Sequence, residues 1–481
     1  MFRSSSGNST SPIAFLAANH RLVGLLLAIV AFAIPMLVDV PGLDRAGQVA
    51  LSVFACAVIL WIFEAIPIYA TSLFVILMQV LLLSSEGILG DVFGAEGSAY
   101  AAPGYHSFLA ILANPIIILF LAGFMLAEGA VKYNLDRSLT RMLLRPFGTK
   151  PSSILFGLML VTGILSAFMS NTATTAMMMT VVIPIVAKLD VKDPFRVALA
   201  LSIPIAANVG GIATPIGTPP NAVVLASLGA NGMPITFTSW VMMALPLAAV
   251  MLAISWWLLL RMYPVQIDQI ELDIKGAGKT GVKATILYVV FGATVLLWMS
   301  ESLHGFPTGL ISVVPIALLT MTSVLTKDDI RKLPWEVLWL VAGGLALGMS
   351  LNQTGLSDWM IGSVDWGGFS PLSLLIVFAV VSLLLANVLS HTVTATLLMP
   401  LAVSLSTGHS TELGLVVAGV TIAVSTSLSM MLPISTPPNA IAISTGLVQT
   451  KDLAKVGALI AVIGLIFILL LAVFYWPLSI I

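Results

Sequence analysis

Long apolar runs separated by short polar connections fill most of the chain, at 22–38, 46–63, 68–83, 153–169, 235–260, 284–298, 309–325, 372–389, 413–432 and 456–474. A helix needs about 20 apolar residues to cross a bilayer. Roughly ten to twelve crossings follow, and the pattern predicts an all-α polytopic membrane protein. The first run is longer than the apolar core of a signal peptide, so it is read as a spanning helix. Composition points the same way: 59% of residues are hydrophobic and 9% charged, too little charge for the surface of a soluble globule of 481 residues.

Residues 1–12, rich in Ser, Asn and Gly, predict a disordered tail. The polar stretch 266–283 has no apolar periodicity and reads as a linker between a first half, 13–265, and a second half, 284–481. The net charge is −1, with the cations in short connections, and nothing resembles a nucleic-acid surface. The single cysteine, Cys56, lies in an apolar run and reads as a small buried hydrophobe. His20, His106, His304 and His409 are not grouped with other metal-ligating residues, and Glu64, Glu128 and Glu301 near the ends of apolar runs read as structural.

Slid along itself, the chain repeats. TPIGTPPN at 214–221 returns as LPISTPPN at 432–439, 218 residues later, and Ser170-Asn171-Thr172-Ala173-Thr174 returns as Ser390-His391-Thr392-Val393-Thr394, 220 residues later. Phe120-Leu121-Ala122-Gly123 answers to Leu340-Val341-Ala342-Gly343, and a looser match joins Leu60-Trp61 to Leu297-Trp298. Landmarks in one order at near-constant spacing are the mark of a transporter built from two related halves. The patches Ala113-Asn114-Pro115 and Leu333-Pro334-Trp335 read as re-entrant hairpins, because the apolar stretch around each is too short to span.

Polar groups in hydrocarbon cost several kcal/mol each when unpaired, so duplicated Ser-x-Thr and Thr-Pro-Pro-Asn motifs within apolar segments need partners. Pro219-Pro220 and Pro437-Pro438 break any helix that runs into them, which puts an unwound segment at depth in each half. Freed carbonyls and hydroxyls there suit a hard cation. Ser-x-Thr at a hairpin tip or half-helix start presents free amides and about half a positive charge, which favours an anion. Two facing tips suit a molecule with two separated negative ends. A lone Ser or Thr in such a place is more often interhelical glue; duplication of both motifs favours a binding site.

In these motifs the chain resembles the divalent anion/sodium symporter family over 22–481. That resemblance implies two inverted repeats with re-entrant hairpins and broken helices, organised as elevator-type scaffold and transport domains in a homodimer within the lipid of the cell's inner (plasma) membrane. It implies a secondary active carrier of four-carbon dicarboxylates such as succinate, malate or fumarate. Substrate contacts would come from Ser170, Asn171, Thr172, Thr218 and Pro219 on one side and from Ser390, His391, Thr392, Thr436 and Pro437 on the other. A first Na+ site would use Ser166, Ser170, Asn171 and Gly217; a second would have Ser390 and Ser435.

The second half departs from the family pattern twice: His391 stands where Asn is expected, and Ala386 where the first half has Ser166. A methyl cannot coordinate sodium. With an ordinary pKa of about 6.5, a protonated His391 would supply the charge of the second sodium. A fixed cation cannot leave with the substrate, so the carrier would favour anion exchange over net symport. The alternative is that His391 keeps the hydrogen bond of the expected Asn and coupling is unchanged. Three other functions fit the same residues less well. These are a sulfate or citrate carrier of the family, an arsenite, metal–citrate or sodium/proton carrier of similar fold, and an intramembrane hydrolase with Ser170 or Ser390 as nucleophile and His391 as base. The last has no nucleophile elbow and no use for a duplication.

Overall fold

The computed structural model describes residues 19–93, 100–270, 278–363, 370–408 and 414–479. The predicted tail 1–12 lies outside them, as does the middle of the predicted linker. Among the described residues there is no strand. The helices that matter here are α1 (His20–Leu37), α2 (Arg45–Ile62), α3 (Ile68–Leu83), α4 (Pro115–Lys132), α5 (Leu135–Leu144), α6 (Pro151–Phe168), α7 (Asn171–Ala187), α8 (Phe195–Gly211), α9 (Pro219–Ala230), α10 (Phe237–Met262), α11 (Val282–Met299), α12 (Thr308–Met321), α13 (Lys327–Arg331), α14 (Trp335–Gln353), α15 (Leu356–Gly362), α16 (Pro371–Val388), α17 (His391–Gly408), α18 (Leu415–Ser427), α19 (Pro437–Ser444) and α20 (Thr450–Phe474). Among the described residues nine helices, counting Tyr105–Lys132 as one, are long and apolar enough to cross a membrane, and six more are apolar but shorter. The chain is a multi-pass membrane protein.

Two compact units emerge. The first takes residues up to Ile111 together with Ala346–Ser363. In it α1 packs along α2, with Ala28, Cys56, Leu60 and Ala65 in a shared core, Gln79 Nε2 donates to Ser350 Oγ at 3.0 Å, and Trp359 Nε1 donates to Pro41 O at 2.9 Å.

The second unit, Leu112–Leu345 with Val364–Ile481, contains every motif residue. Its hairpins are not where the Asn-Pro and Leu-Pro patches placed them. Asn114 is the N-cap of α4, its side chain accepting from Ile116 N at 2.9 Å, and Pro115 is the first residue of that 18-residue helix. Pro334 immediately precedes α14. Proline at a first helical position costs nothing, because its missing N–H would have no partner there. These patches therefore start helices. The reversals lie at the Ser-x-Thr motifs: α6 ends at Phe168, Met169 is extended, and Ser170 is the N-cap of α7; α16 ends at Val388, Leu389 is extended, and α17 begins at His391.

The two proline loops are local copies. Thr218 (φ −148°, ψ 144°) and Thr436 (φ −144°, ψ 146°) are extended N-caps, each followed by two prolines in the first helical turn of α9 and α19. Packing around them is crosswise. α7 and α8 of the first half pack on α19, and α17 and α18 of the second half pack on α9.

Candidate functional site

The first residues of α7, α9, α17 and α19 converge within the second unit. A cavity of about 300 Å³ is lined by Ser170, Asn171, Thr172, Thr218 and Pro219 from one half and Ser390, His391, Thr392, Thr436 and Pro437 from the other. All ten residues singled out by the motifs thus share one cavity, whose wall also includes Asn208, Gly217, Ser435 and Glu336. No Lys or Arg lines it among the described residues. Four helix N-termini meet there; α7 and α17 begin without proline and keep their first N–H groups, while α9 and α19 begin with two prolines that have none. Free amides at such ends favour an anion without a basic side chain.

The hydroxyls are not equally engaged. Thr436 Oγ1 accepts from Asn439 N at 3.4 Å and from Asn208 Nδ2 at 3.3 Å, and Ser390 Oγ accepts from Val393 N at 3.2 Å. Thr218 makes no such cap. Asn221 and Asn439 tie their own loops shut: Asn221 Nδ2 donates to Gly211 O, Ile212 O and Thr214 O, and Asn439 Nδ2 to Met430 O, Leu432 O and Ser435 Oγ. These amides satisfy the carbonyls that the broken helices release.

Behind the first tip is a cluster of oxygens. Buried Ser166 Oγ donates to Ala207 O at 2.9 Å. The Asn171 carboxamide reaches Ser166 Oγ at 2.5 Å, Gly217 O at 3.1 Å and Ala207 O at 3.2 Å. With its nitrogen inward it donates to all three; with its oxygen inward it completes a set of four oxygens, the ligand chemistry of a hard cation. The residues therefore fit a Na+ site. Closure needs glycine: a Cβ on Gly211 would lie 2.6 Å from Asn171 Oδ1, and one on Gly217 would lie 2.5 Å from Gly211 O.

The second half does not copy this cluster. At the repeat spacing Ser166 becomes Ala386, Asn171 becomes His391, and both glycines become serines, Ser429 and Ser435. His391 is buried, its Nε2 2.6 Å from Ser429 O, and Ser435 Oγ donates to Leu432 O at 2.7 Å. An imidazole N–H takes the carbonyl that a cation would otherwise need.

Three residues escaped the motifs. Asn208 is 1% exposed and hydrogen-bonded across the repeat. Glu336 lies in the cavity wall and also in that of an adjoining cavity of about 380 Å³, with Glu128, Lys332, Ser170 and Thr172. Glu128, read from the sequence as structural, faces this second space. Its place in an apolar run was the only signal; Glu336 gave none beyond its nearness to the Leu-Pro patch. At the outer end Lys132 Nζ pairs with Asp329 Oδ2 at 2.5 Å and donates to Val324 O at 2.8 Å, fastening α4 to α13.

The chain is similar to known transporters. A citrate-transporter family, CitMHS, matches residues 58–424. The sodium-dependent dicarboxylate transporter SdcS of Staphylococcus saprophyticus is 30% identical over 495 residues, covering 95% of this chain and 92% of that one. The protein of the same name from Staphylococcus aureus is 30% identical over 497 residues, covering 95% and 91%. Among solved structures, the Alcanivorax borkumensis YdaH transporter superposes with a TM-score of 0.53 at 10% identity, over 85% of this chain and 98% of that one. Neisseria gonorrhoeae MtrF, described with antimetabolite efflux pumps, gives 0.50 at 11% identity, over 85% and 94%. At such identities the two structures speak for the fold alone.

Proposed function

The chain belongs to the citrate-transporter family, among the divalent anion/sodium symporters, as a membrane transporter and not an enzyme, and on that premise we propose that it carries four-carbon dicarboxylates such as succinate, malate and fumarate. One observation carries this reading: four helix N-termini and two Ser-x-Thr tips converge on one cavity of about 300 Å³ without a basic side chain. The N–H groups at the starts of α7 and α17 favour two carboxylates, one at each tip. The staphylococcal relatives' name supports both the substrate class and the use of sodium.

Substrate is held by Ser170, Asn171, Thr172, Thr218 and Pro219 at one end and by Ser390, His391, Thr392, Thr436 and Pro437 at the other. Sodium binds at Ser166, Ser170, Asn171 and Gly217, beneath the first carboxylate, and offsets its charge. The site formed by Ser390 and Ser435 takes no second ion. Ala386 brings no oxygen, and His391 already donates to Ser429 O, so the imidazole stands in for that ion. A group that cannot depart with the substrate favours exchange of one anion for another. The halves 13–265 and 284–481, joined by 266–283, are inverted repeats that form the scaffold and elevator domains of a homodimer in the inner membrane.

A tricarboxylate is the second reading, favoured by the description of the matching family. Glu336 in the wall argues against it, because a third substrate carboxylate adds repulsion there. Thermal unfolding of the purified protein with succinate, malate, oxoglutarate, citrate or sulfate, each with NaCl or choline chloride, separates the two. Stabilisation by four-carbon dicarboxylates that grows with sodium is expected. No response to any dicarboxylate in either salt refutes the proposal.

A further inference from the structure

Asn208 joins the two halves at the point where both binding events are placed. It lies on α8 in the cavity wall, and its Nδ2 is 3.3 Å from Thr436 Oγ1 and 3.4 Å from Asn439 Oδ1. Its own Oδ1 is buried without a partner. The residue before it, Ala207, turns its carbonyl the other way, to Ser166 Oγ at 2.9 Å and the Asn171 amide at 3.2 Å. Two successive residues thus address the oxygen cluster of one half and the substrate hydroxyl of the other.

The repeat does not return the link. At the position corresponding to Asn208 the second half has Thr426, whose hydroxyl donates to Ala423 O within its own helix. Asn439 Nδ2 is occupied by its own loop, which leaves its Oδ1 for Asn208; Asn221 occupies its Nδ2 in the same way, but its Oδ1 is buried without a partner. At this pair of positions the link runs from the half that has the oxygen cluster.

We infer that Asn208 is the positioning residue that couples the two ligands. A cation held by Ala207 O fixes this turn of α8, and Asn208 then holds Thr436 and the start of α19 in the geometry that receives the far carboxylate. Coupling of this kind is reciprocal: each ligand raises the other's affinity by the same factor.

This inference rests on the sodium–dicarboxylate reading, and the experiment keeps the two apart. Succinate affinity of the purified full-length protein is measured by calorimetry in saturating NaCl and in choline chloride, for the wild type, Asn208→Leu and Asn208→Ser. Sodium is expected to tighten succinate binding by about tenfold or more in the wild type and by less than about threefold in both variants. Serine is too short to reach Thr436 yet small enough to fit, so Asn208→Ser decides the matter should the leucine variant fail to fold. Variants that keep the wild-type enhancement, even with weaker succinate binding overall, overturn the inference. A wild type whose succinate binding ignores sodium overturns the sodium–dicarboxylate reading, and the inference with it.

Discussion

His391 Nε2 lies 2.6 Å from the carbonyl oxygen of Ser429, the residue that takes the place of Gly211 in the second half. In the first half the corresponding pair is an amide and a glycine, and the glycine is needed because a Cβ there would meet Asn171. A cluster of oxygens and an imidazole N–H are alternative surroundings for the same local feature, a carbonyl released by a broken helix. The chain uses one in each half.

Labelled succinate is therefore expected to exchange across vesicles that contain unlabelled succinate, even when choline replaces sodium. His391→Asn is expected to lower this exchange by about tenfold, because the shorter amide reaches Ser429 O less well than the imidazole. It does not add a second sodium, because Ala386, Ser429 and Ser435 remain. A sodium dependence that becomes steeper in the variant refutes this account.

Ser166→Ala gives the first half the residue that the second half has. Half-saturation by sodium should rise about tenfold, in keeping with the loss of one buried polar contact, while succinate affinity at saturating sodium changes by less than about threefold. Sodium titrations of thermal shift measure both quantities. An unaltered sodium midpoint removes Ser166 from the site.

Gly211→Ala places a methyl 2.6 Å from Asn171 Oδ1 in a region without room to yield. Overpacking of this kind costs about 1–3 kcal/mol. The expected result is a lowered unfolding midpoint and no stabilisation by sodium. Retention of the sodium response shows that Asn171 does not need that glycine.

Glu336→Gln removes a negative charge from the wall of the cavity proposed to take the dicarboxylate. Affinity for succinate should improve about two- to tenfold, affinity for citrate by more, and both gains should shrink as ionic strength rises. Equal affinities in wild type and variant at low salt place Glu336 outside the field of the substrate.

Asp329 offers a pH dependence. Burial pushes its carboxyl up, but the Lys132 ammonium and the Thr326 hydroxyl and amide outweigh that and hold it at about 2. A carboxyl depressed in the folded state stabilises the protein above its unfolded pKa of about 3.9, and this contribution is lost as the pH falls towards 2. The unfolding midpoint should drop between about pH 4 and 2, and Lys132→Met should flatten that drop. An equal drop in both proteins shows that the ion pair is not its source.

Lipid as the solvent, the duplication and the two broken helices were all readable from residues alone, because each depends on run length or on chemistry within a few positions. The proline pairs at 219–220 and 437–438 suit only the first turn of a helix, so each begins a new one, and Ser170 caps another. The hairpins could be misplaced because Asn114-Pro115 has the same local chemistry as a turn; it is the continuation of α4 behind it that makes it a helix start. Tertiary structure alone decided what the polar groups meet. Ser429 is 38 residues from His391 and Thr436 is 228 from Asn208, distances over which no local preference acts. Whether a released carbonyl faces an amide, an imidazole or an open oxygen cluster is settled by crosswise packing of the two halves, and that packing depends on side-chain volumes spread over the whole buried core.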